Sequence, residues 1–342
     1  MSGRRWICAS AIWAAVASGV LSMTSAALAE TRIRLATALP TDSAIMKAVY
    51  QPWIDALNEK AKGIFRIEAF PPPFATGPNV WDRTRQGVAD MGLIVIPATG
   101  LPFSGTMVAT VPDTGSDIRA ASAALWTLYE EGLLPGEYDD VHLMSLTAVP
   151  PLVFISTREV TSMDELKGMR VRVNDKNGAA AMEALGAAPV AMPFSEAYQG
   201  FARGVVEGGV ANGVTIVSFH FGDVAKYQVR NVELGMPPSA IVMNKRFYDG
   251  LSDEAKAIID QASGMAGSLD IAERQHQLDL QNLAELEKRS DYTIVNLEPA
   301  ERDRWRAAIS TVEDAWAEST PNGRAVLDRY LSAYAEAAAK LQ

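Results

Sequence analysis

From residue 31 onward the chain switches between two hydrophobic rhythms. Residues 31–38 (TRIRLATA) alternate polar and apolar positions, the period of a half-buried strand. Leu39-Pro40 breaks the run, and Thr41, Asp42 and Ser43 offer caps for a helix over 44–61 that stops at Gly63. A second strand over 64–70 ends at three consecutive prolines, a helix follows over 80–89, and 91–96 reads as a buried strand. Strand, helix, strand, helix, strand predicts a mixed or parallel sheet covered by helices, an α/β fold.

The same alternation continues. A helix is expected over 119–131, with strands over 141–146 and 152–156. Pro150-Pro151 lies between those strands and reads as a crossover between lobes. A short helix over 162–166, a strand over 169–173, a helix over 178–185 and a strand over 188–192 come next. Ser195 is the expected cap of a helix running to Arg203, with Glu196 in its first turn. Further strands fall over 205–212, 226–234 and 239–244. From Ser252 the pattern turns almost wholly helical. One run could reach Arg289, bent at Gly264 and Gly267, and would span about 55 Å as a strut shared by two lobes. A late strand over 292–297 and two closing helices over 299–341 complete the pattern.

The first 29 residues follow a different rule. Arg4 and Arg5 precede an apolar, small-residue stretch that ends Ala27-Leu28-Ala29. That is the layout of a secretory signal peptide cleaved before Glu30, and the stretch is short for a transmembrane anchor. Cys8 precedes the main apolar stretch, which speaks against a lipoprotein signal. Cleavage would remove Cys8, the one cysteine, so the mature chain would form no disulfide in an oxidising compartment. It would also leave 29 Lys and Arg against 41 Asp and Glu, a net charge of −12 in place of −10. So acidic a surface argues against nucleic acid and anionic membrane as partners. A local arginine can still dominate a pocket. The mature length suits two domains.

Candidate chemistry is sparse. His142, His220 and His276 have no histidine or cysteine at ligand spacing, so no metal is expected. Gly208-Gly209 and Gly213 lack the order and context of a dinucleotide fingerprint, and no cofactor is expected. Asp139-Asp140 and Asp253-Glu254 fall at turns or helix starts, where acids partner helix dipoles. No nucleophile motif points to an enzyme.

Four segments resemble a known family. They are Gly87-Val88-Ala89-Asp90-Met91-Gly92, the run DELKGMRVRV from Asp164 to Val173, ALGAAPVAMP from Ala184 to Pro193 leading into Ser195-Glu196-Ala197-Tyr198, and Gly204-Val205-Val206-Glu207-Gly208. In this order they are similar to the TRAP-type solute-binding proteins, the dicarboxylate-receptor-like periplasmic subunits of tripartite ATP-independent transporters. The resemblance implies a two-lobed periplasmic binding protein fold with crossing strands and a long helix spanning both lobes. The expected division is 1–29 signal peptide, 30–150 plus 236–276 lobe I, and 151–235 plus 277–342 lobe II. It also implies periplasmic capture of a small organic acid and delivery to TRAP membrane permease subunits. Presentation of the ligand to a sensor is an alternative role.

In this family the arginine of the R-V motif pairs with the ligand carboxylate, and that position is Arg172. A guanidinium offers a carboxylate a planar, two-pronged donor. Strand alternation sends Val171 and Val173 to the opposite face and leaves Arg170 as the local rival. A second arginine that some members carry near the crossover falls here near Leu152, with no basic residue until Arg158. That favours a monocarboxylate with an apolar body over a C4-dicarboxylate, which stays open. Asn212 is a candidate amide for the ligand, or a turn residue before Gly213. Strand ends add Pro40, Thr41, Pro97, Thr99 and Phe154 as pocket candidates. Trp81, Phe194, Tyr198 and Phe219 are candidate aromatic walls.

Overall fold

The computed structural model describes residues 30–341; the expected leader, 1–29, lies outside them. The strands are β1 (Thr31–Thr37), β2 (Phe65–Phe70), β3 (Met91–Val95), β4 (Val141–Ala148), β5 (Val153–Ser156), β6 (Arg170–Val173), β7 (Ala188–Ala191), β8 (Gly208–Ala211), β9 (Tyr227–Val229), β10 (Pro238–Asn244) and β11 (Thr293–Val295). They form two mixed sheets, ordered β2-β1-β3-β10-β4 and β11-β9-β5-β8-β6-β7. β1 to β3 run parallel, and β10 returns antiparallel between β3 and β4. In the second sheet β6, β7 and β8 are parallel, so their C-terminal ends share one edge.

Helices cover both sheets. α1 (Gln51–Lys60) and α2 (Val80–Arg85) connect the parallel strands of the first sheet, and α3 (Ile118–Glu130) lies before β4. The second sheet carries α4 (Lys176–Ala184), α5 (Phe194–Ala202) and α6 (Gly213–Ser218). α7 (Lys245–Asp249), α8 (Asp253–Gln261), α9 (Gly264–Lys288), α10 (Pro299–Ile309), α11 (Thr311–Ser319) and α12 (Gly323–Leu341) follow. Among the described residues no helix is long and apolar enough to cross a membrane.

Several sequence expectations are corrected. The helix expected over 44–61 opens as a π-helical turn, Met46–Tyr50, before α1. The helix expected over 80–89 ends at Arg85. Ser195 is not a cap: α5 begins at Phe194, and Pro193 stands at the cap position, where its missing N–H leaves nothing unsatisfied. The single run from Asp253 to Arg289 is two helices. Ser263 is extended and Gly264 left-handed (φ 77°), a pairing no helix contains, so α9 alone is the strut, about 37 Å long. Three closing helices replace two. α10 and α11 pack on α4 of the second lobe, whereas α12 lies on α3 in the first. Val326, Leu327, Tyr330 and Ala333 make an apolar stripe buried with Trp126 and Leu128. The assignment of all of 277–342 to lobe II is thereby corrected for its last helix.

Two connections cross between the sheets side by side. The segment after β4 and the segment before β10 are joined by Val149 N–H to Pro237 O, Leu152 N–H to Gly235 O and Leu234 N–H to Leu152 O, each at 2.8 Å. α9 passes behind them. It buries Ile271 and Leu278 in the core of the first sheet and Leu286 in that of the second. β4 is an edge strand, and hydroxyls cover its free backbone donors: Leu146 N–H donates to Ser268 Oγ of α9, and Ala148 N–H to Ser122 Oγ of α3. At the front, Asn177 Nδ2 of α4 donates to Thr110 Oγ1 of the first lobe at 2.8 Å.

Asp279 of α9 faces the backbone N–H groups of Gly213 and Val214, beside cavities of about 120 and 190 Å³ behind the crossing strands. Burial pushes its carboxyl up to about 6 against those N–H donors. A raised acid binds more protons folded than unfolded, so its stability contribution falls as pH climbs from about 4 to 6. Two predictions follow from this junction. Asp279→Asn should raise stability at pH 7.5 by up to about 3 kcal/mol and have much less effect at pH 3.5, read from denaturant curves at both values. Gly235 adopts φ 89°, and a β-carbon there would lie 2.3 Å from the Thr110 carbonyl oxygen. Gly235→Ala should therefore cost more than about 2 kcal/mol, whereas Gly63→Ala, in open space, should cost only the smaller backbone strain.

Candidate solute site at the strand ends of the second lobe

β6 places its side chains on two faces. Val171 and Val173 enter the core that holds Phe154, Val210 and Trp305. Arg172 faces the other way, toward Phe201 and the C-terminal edge shared by the parallel strands. Between them β8 carries two glycines for a packing reason. A β-carbon on Gly208 would lie 2.8 Å from the Phe154 ring, and one on Gly209 would lie 2.8 Å from the Phe201 ring. The glycine pair lets aromatic rings close on the sheet from both sides.

Arg172 is 2% exposed. Its Nε donates to the Met192 carbonyl oxygen at 2.8 Å, which fixes the plane of the guanidinium. Its Cζ lies 4.1 Å from the centre of the Phe194 ring, a cation–π contact. Nη1 is buried and has no hydrogen-bond partner. Burial pushes the guanidinium down to about 10, and the charge of Asp175 opposes that shift. Asp175 itself is raised by burial, held back by the Gly178 and Asn177 N–H groups and by Arg172. The cation is thus desolvated, oriented on one side and unsatisfied on another.

The aromatic candidates divide. Phe194 stacks with Phe219 (centroids 5.8 Å apart) and with Phe221 (6.3 Å), and Phe221 meets Phe201 at 6.0 Å. Phe194 and Phe219 are half-buried and continue from the guanidinium as an apolar wall. Tyr198 lies one turn after Phe194 and is exposed. Phe154 is corrected: it is buried against Trp305 on the face of the sheet away from Arg172, because strand alternation sends it there. Trp81 is likewise core, edge-on to Phe103.

Asn212 ends β8 and caps α6. Its Oδ1 accepts from Thr215 N–H at 2.9 Å, and its Nδ2 donates to the Pro150 carbonyl at 3.2 Å. The amide therefore ties the site to the crossing strands. Thr41 is exposed in the turn after β1, and no hydrogen bond engages its side chain. Arg170, the rival of Arg172, sits at the opposite end of β6. It is exposed, donates to the Gly204 carbonyl and pairs with Glu207 at 3.4 Å. At the crossover Leu152 is core, and Arg158 donates to the Glu165 carbonyl.

The sequence reading missed Asn174 and the Met192 carbonyl. Asn174 follows β6 directly, and its Oδ1 is buried without a partner. The one signal in the sequence was position: residue 174 follows directly on the strand that carries Arg172. At the C-terminal edge of the first sheet, the Phe70 ring meets Phe74 tilted by 50° at 5.2 Å, and the Arg83 guanidinium lies 5.4 Å from the Phe74 ring with its Nε buried and unpartnered. Among the described residues no cluster of three or more His, Cys, Asp or Glu is placed to hold a metal ion.

A lone buried cation costs the empty protein stability. For a base lowered on folding, the penalty is full below the folded value and is relieved only as pH rises through about 10. Arg172→Met should therefore raise the melting temperature of the ligand-free protein at pH 7.5, corresponding to up to about 3 kcal/mol. A fall of several degrees would show that the cation is compensated from within.

The family model of the bacterial extracellular solute-binding proteins, family 7 (DctP), matches residues 35–319. A C4-dicarboxylate-binding periplasmic protein of Rhodobacter capsulatus is 30% identical over 164 residues, 46% of this chain and 47% of its own length. The chain thus matches about half the length of that curated relative. Among solved structures, a TRAP solute-binding protein from Rhodoferax ferrireducens, in complex with copurified benzoate, superposes with a TM-score of 0.85 at 21% identity, covering 91% of this chain and all of that one. One from Bordetella bronchiseptica, with bound (R)- and (S)-mandelate, gives 0.80 at 22% identity over 90% and 99%. With a family model spanning both sheets, the chain belongs to the DctP family of bacterial extracellular solute-binding proteins, family 7.

Proposed function

We propose that this protein captures a small monocarboxylate with a ring or other apolar body between its two lobes and delivers it to a TRAP membrane permease. The role is capture and delivery, without turnover. Residues 1–29 serve as the export signal to the periplasm. The moving units are the two sheets with their helices, α12 travelling with the first.

The observation that carries this reading is Arg172, a guanidinium 2% exposed with Nη1 unpartnered beside a half-buried phenyl wall. Removing a charge from water is costly unless an opposite charge meets it, and a ligand carboxylate is the natural counter-charge. Phe194 and Phe219 then receive the apolar body, as edge or face contacts to a ring. The benzoate and mandelate complexes of two structural neighbours fit this chemistry. One carboxylate suffices because Leu152 occupies the crossover position and Arg158 is engaged elsewhere. Asn212 supports the pocket by holding its floor to Pro150, and Thr41 lies at a strand end of the first lobe.

One observation favours a C4-dicarboxylate instead, as in the Rhodobacter relative. Arg83 presents a second ring-stacked guanidinium in the first lobe with an unpartnered Nε. A thermal-shift and calorimetric screen of refolded protein separates the two. A ligand at about 100 times its Kd adds about 2.7 kcal/mol of stability. Aromatic monocarboxylates should shift the wild type, and Arg172→Ala should lose about 2–5 kcal/mol of binding, tens- to thousands-fold in Kd. Arg83→Ala should leave that binding within a few-fold. Shifts by dicarboxylates alone, lost in Arg83→Ala, would establish the second reading.

A further inference from the structure

Resting on Arg172 as the carboxylate anchor, we propose that Asn174 is a second ligand-recognising residue, whose side-chain oxygen selects acids that carry a hydroxyl donor near the carboxylate. Arg172 is the third residue of β6, and Asn174 follows the strand directly, two positions on, in the bend that leads into α4. Each carries a buried polar atom without a partner: Nη1 of Arg172, a donor, and Oδ1 of Asn174, an acceptor.

The surrounding turn does not use Asn174. Of its polar neighbours, Asp175 caps α4 by accepting from Gly178 N–H at 2.9 Å, and Asn177 bridges to Thr110 of the first lobe. The Met192 carbonyl is taken by Arg172 Nε. Among the described residues no hydrogen bond engages the Asn174 side chain, whereas Asp175 and Asn177 beside it are committed.

The chemistry of the missing partner follows from the pair. An ionised carboxylate only accepts hydrogen bonds. It satisfies Nη1 and does nothing for Oδ1, which it would repel. A hydroxyl on the same ligand donates to Oδ1 and completes the set. A site built around a buried acceptor rejects an analogue that lacks the donor, because desolvating the acceptor then goes uncompensated. The ligand class is therefore a hydroxy acid with a ring: a 2-hydroxy-2-aryl acid or a ring-hydroxylated aryl acid.

The test compares matched acids by calorimetry: benzoate with 3-hydroxybenzoate, and phenylacetate with mandelate. In the wild type the hydroxy acid of at least one pair should bind about tenfold tighter than its partner, a single well-made hydrogen bond to a buried group. Asn174→Ala should bring that pair to within about twofold by weakening the hydroxy acid alone. Asn174→Asp keeps an acceptor but adds a charge facing the carboxylate, and should weaken all four acids. Among the described residues no hydrogen bond engages the Asn174 side chain, so both variants should fold, and the wild-type comparison needs neither. Equal binding within both pairs overturns the inference and leaves the Arg172 reading intact. Equal weakening of both members by Asn174→Ala also overturns it, since the amide would then serve the carboxylate through its nitrogen. Failure of all four acids to bind wild type and Arg172→Ala alike would remove the Arg172 reading itself.

Discussion

A buried guanidinium held by one carbonyl and one aromatic ring is the constraint around which the second lobe is organised. Arg172 reaches its position only because β6 runs parallel to β7, which brings the Met192 carbonyl level with its Nε. It stays there because Phe194 opens α5 directly behind Pro193 and lays its ring under the cation. Gly209, level with Arg172 on neighbouring β8, leaves room for Phe201 to pack on the same face of the sheet. Each of these is a backbone decision made some distance away in sequence, and each converges on one charge that the protein itself does not fully satisfy.

That arrangement explains why the site is costly and why it persists. An interior that keeps an unpaired cation gives up stability in the empty state. The same desolvation strengthens any ion pair formed there, because the dielectric that would screen it has been excluded. Stability lost when empty and affinity gained when filled have one physical origin.

How much of this was legible in the sequence differs by scale. The alternation of 31–38 and 91–96 and the helical spacing between them are local signals, and they gave the first sheet its parallel start. Arg172 was reachable because its strand carries valines on the other face, and the family motif singled it out from Arg170. Phe154 was misread because a strand end looks the same from either face until the register is known; the glycine at position 208 was the clue that a ring packs there. The break at Ser263 was hidden because every residue from Asp253 to Lys288 except the glycines suits a helix, and the left-handed turn at Gly264 depends on where the two sheets force the chain. The docking of α12 on α3 is tertiary in the strict sense: its stripe from Val326 to Ala333 says that it must be covered, not by which lobe.

The proposed anchoring groups Arg172, Met192, Phe194 and Asn174 all belong to one lobe, and the crossing strands beside Gly235 belong to neither. On the proposed reading, the solute has a first host and a later cover. On that reading, encounter depends first on the second lobe, whose half-made set of bonds meets the solute. The first lobe enters afterwards, and its effect falls on how long the guest stays. Recognition and retention are thus written into separate stretches of chain, and changing the preferred acid need not disturb the hinge that releases it.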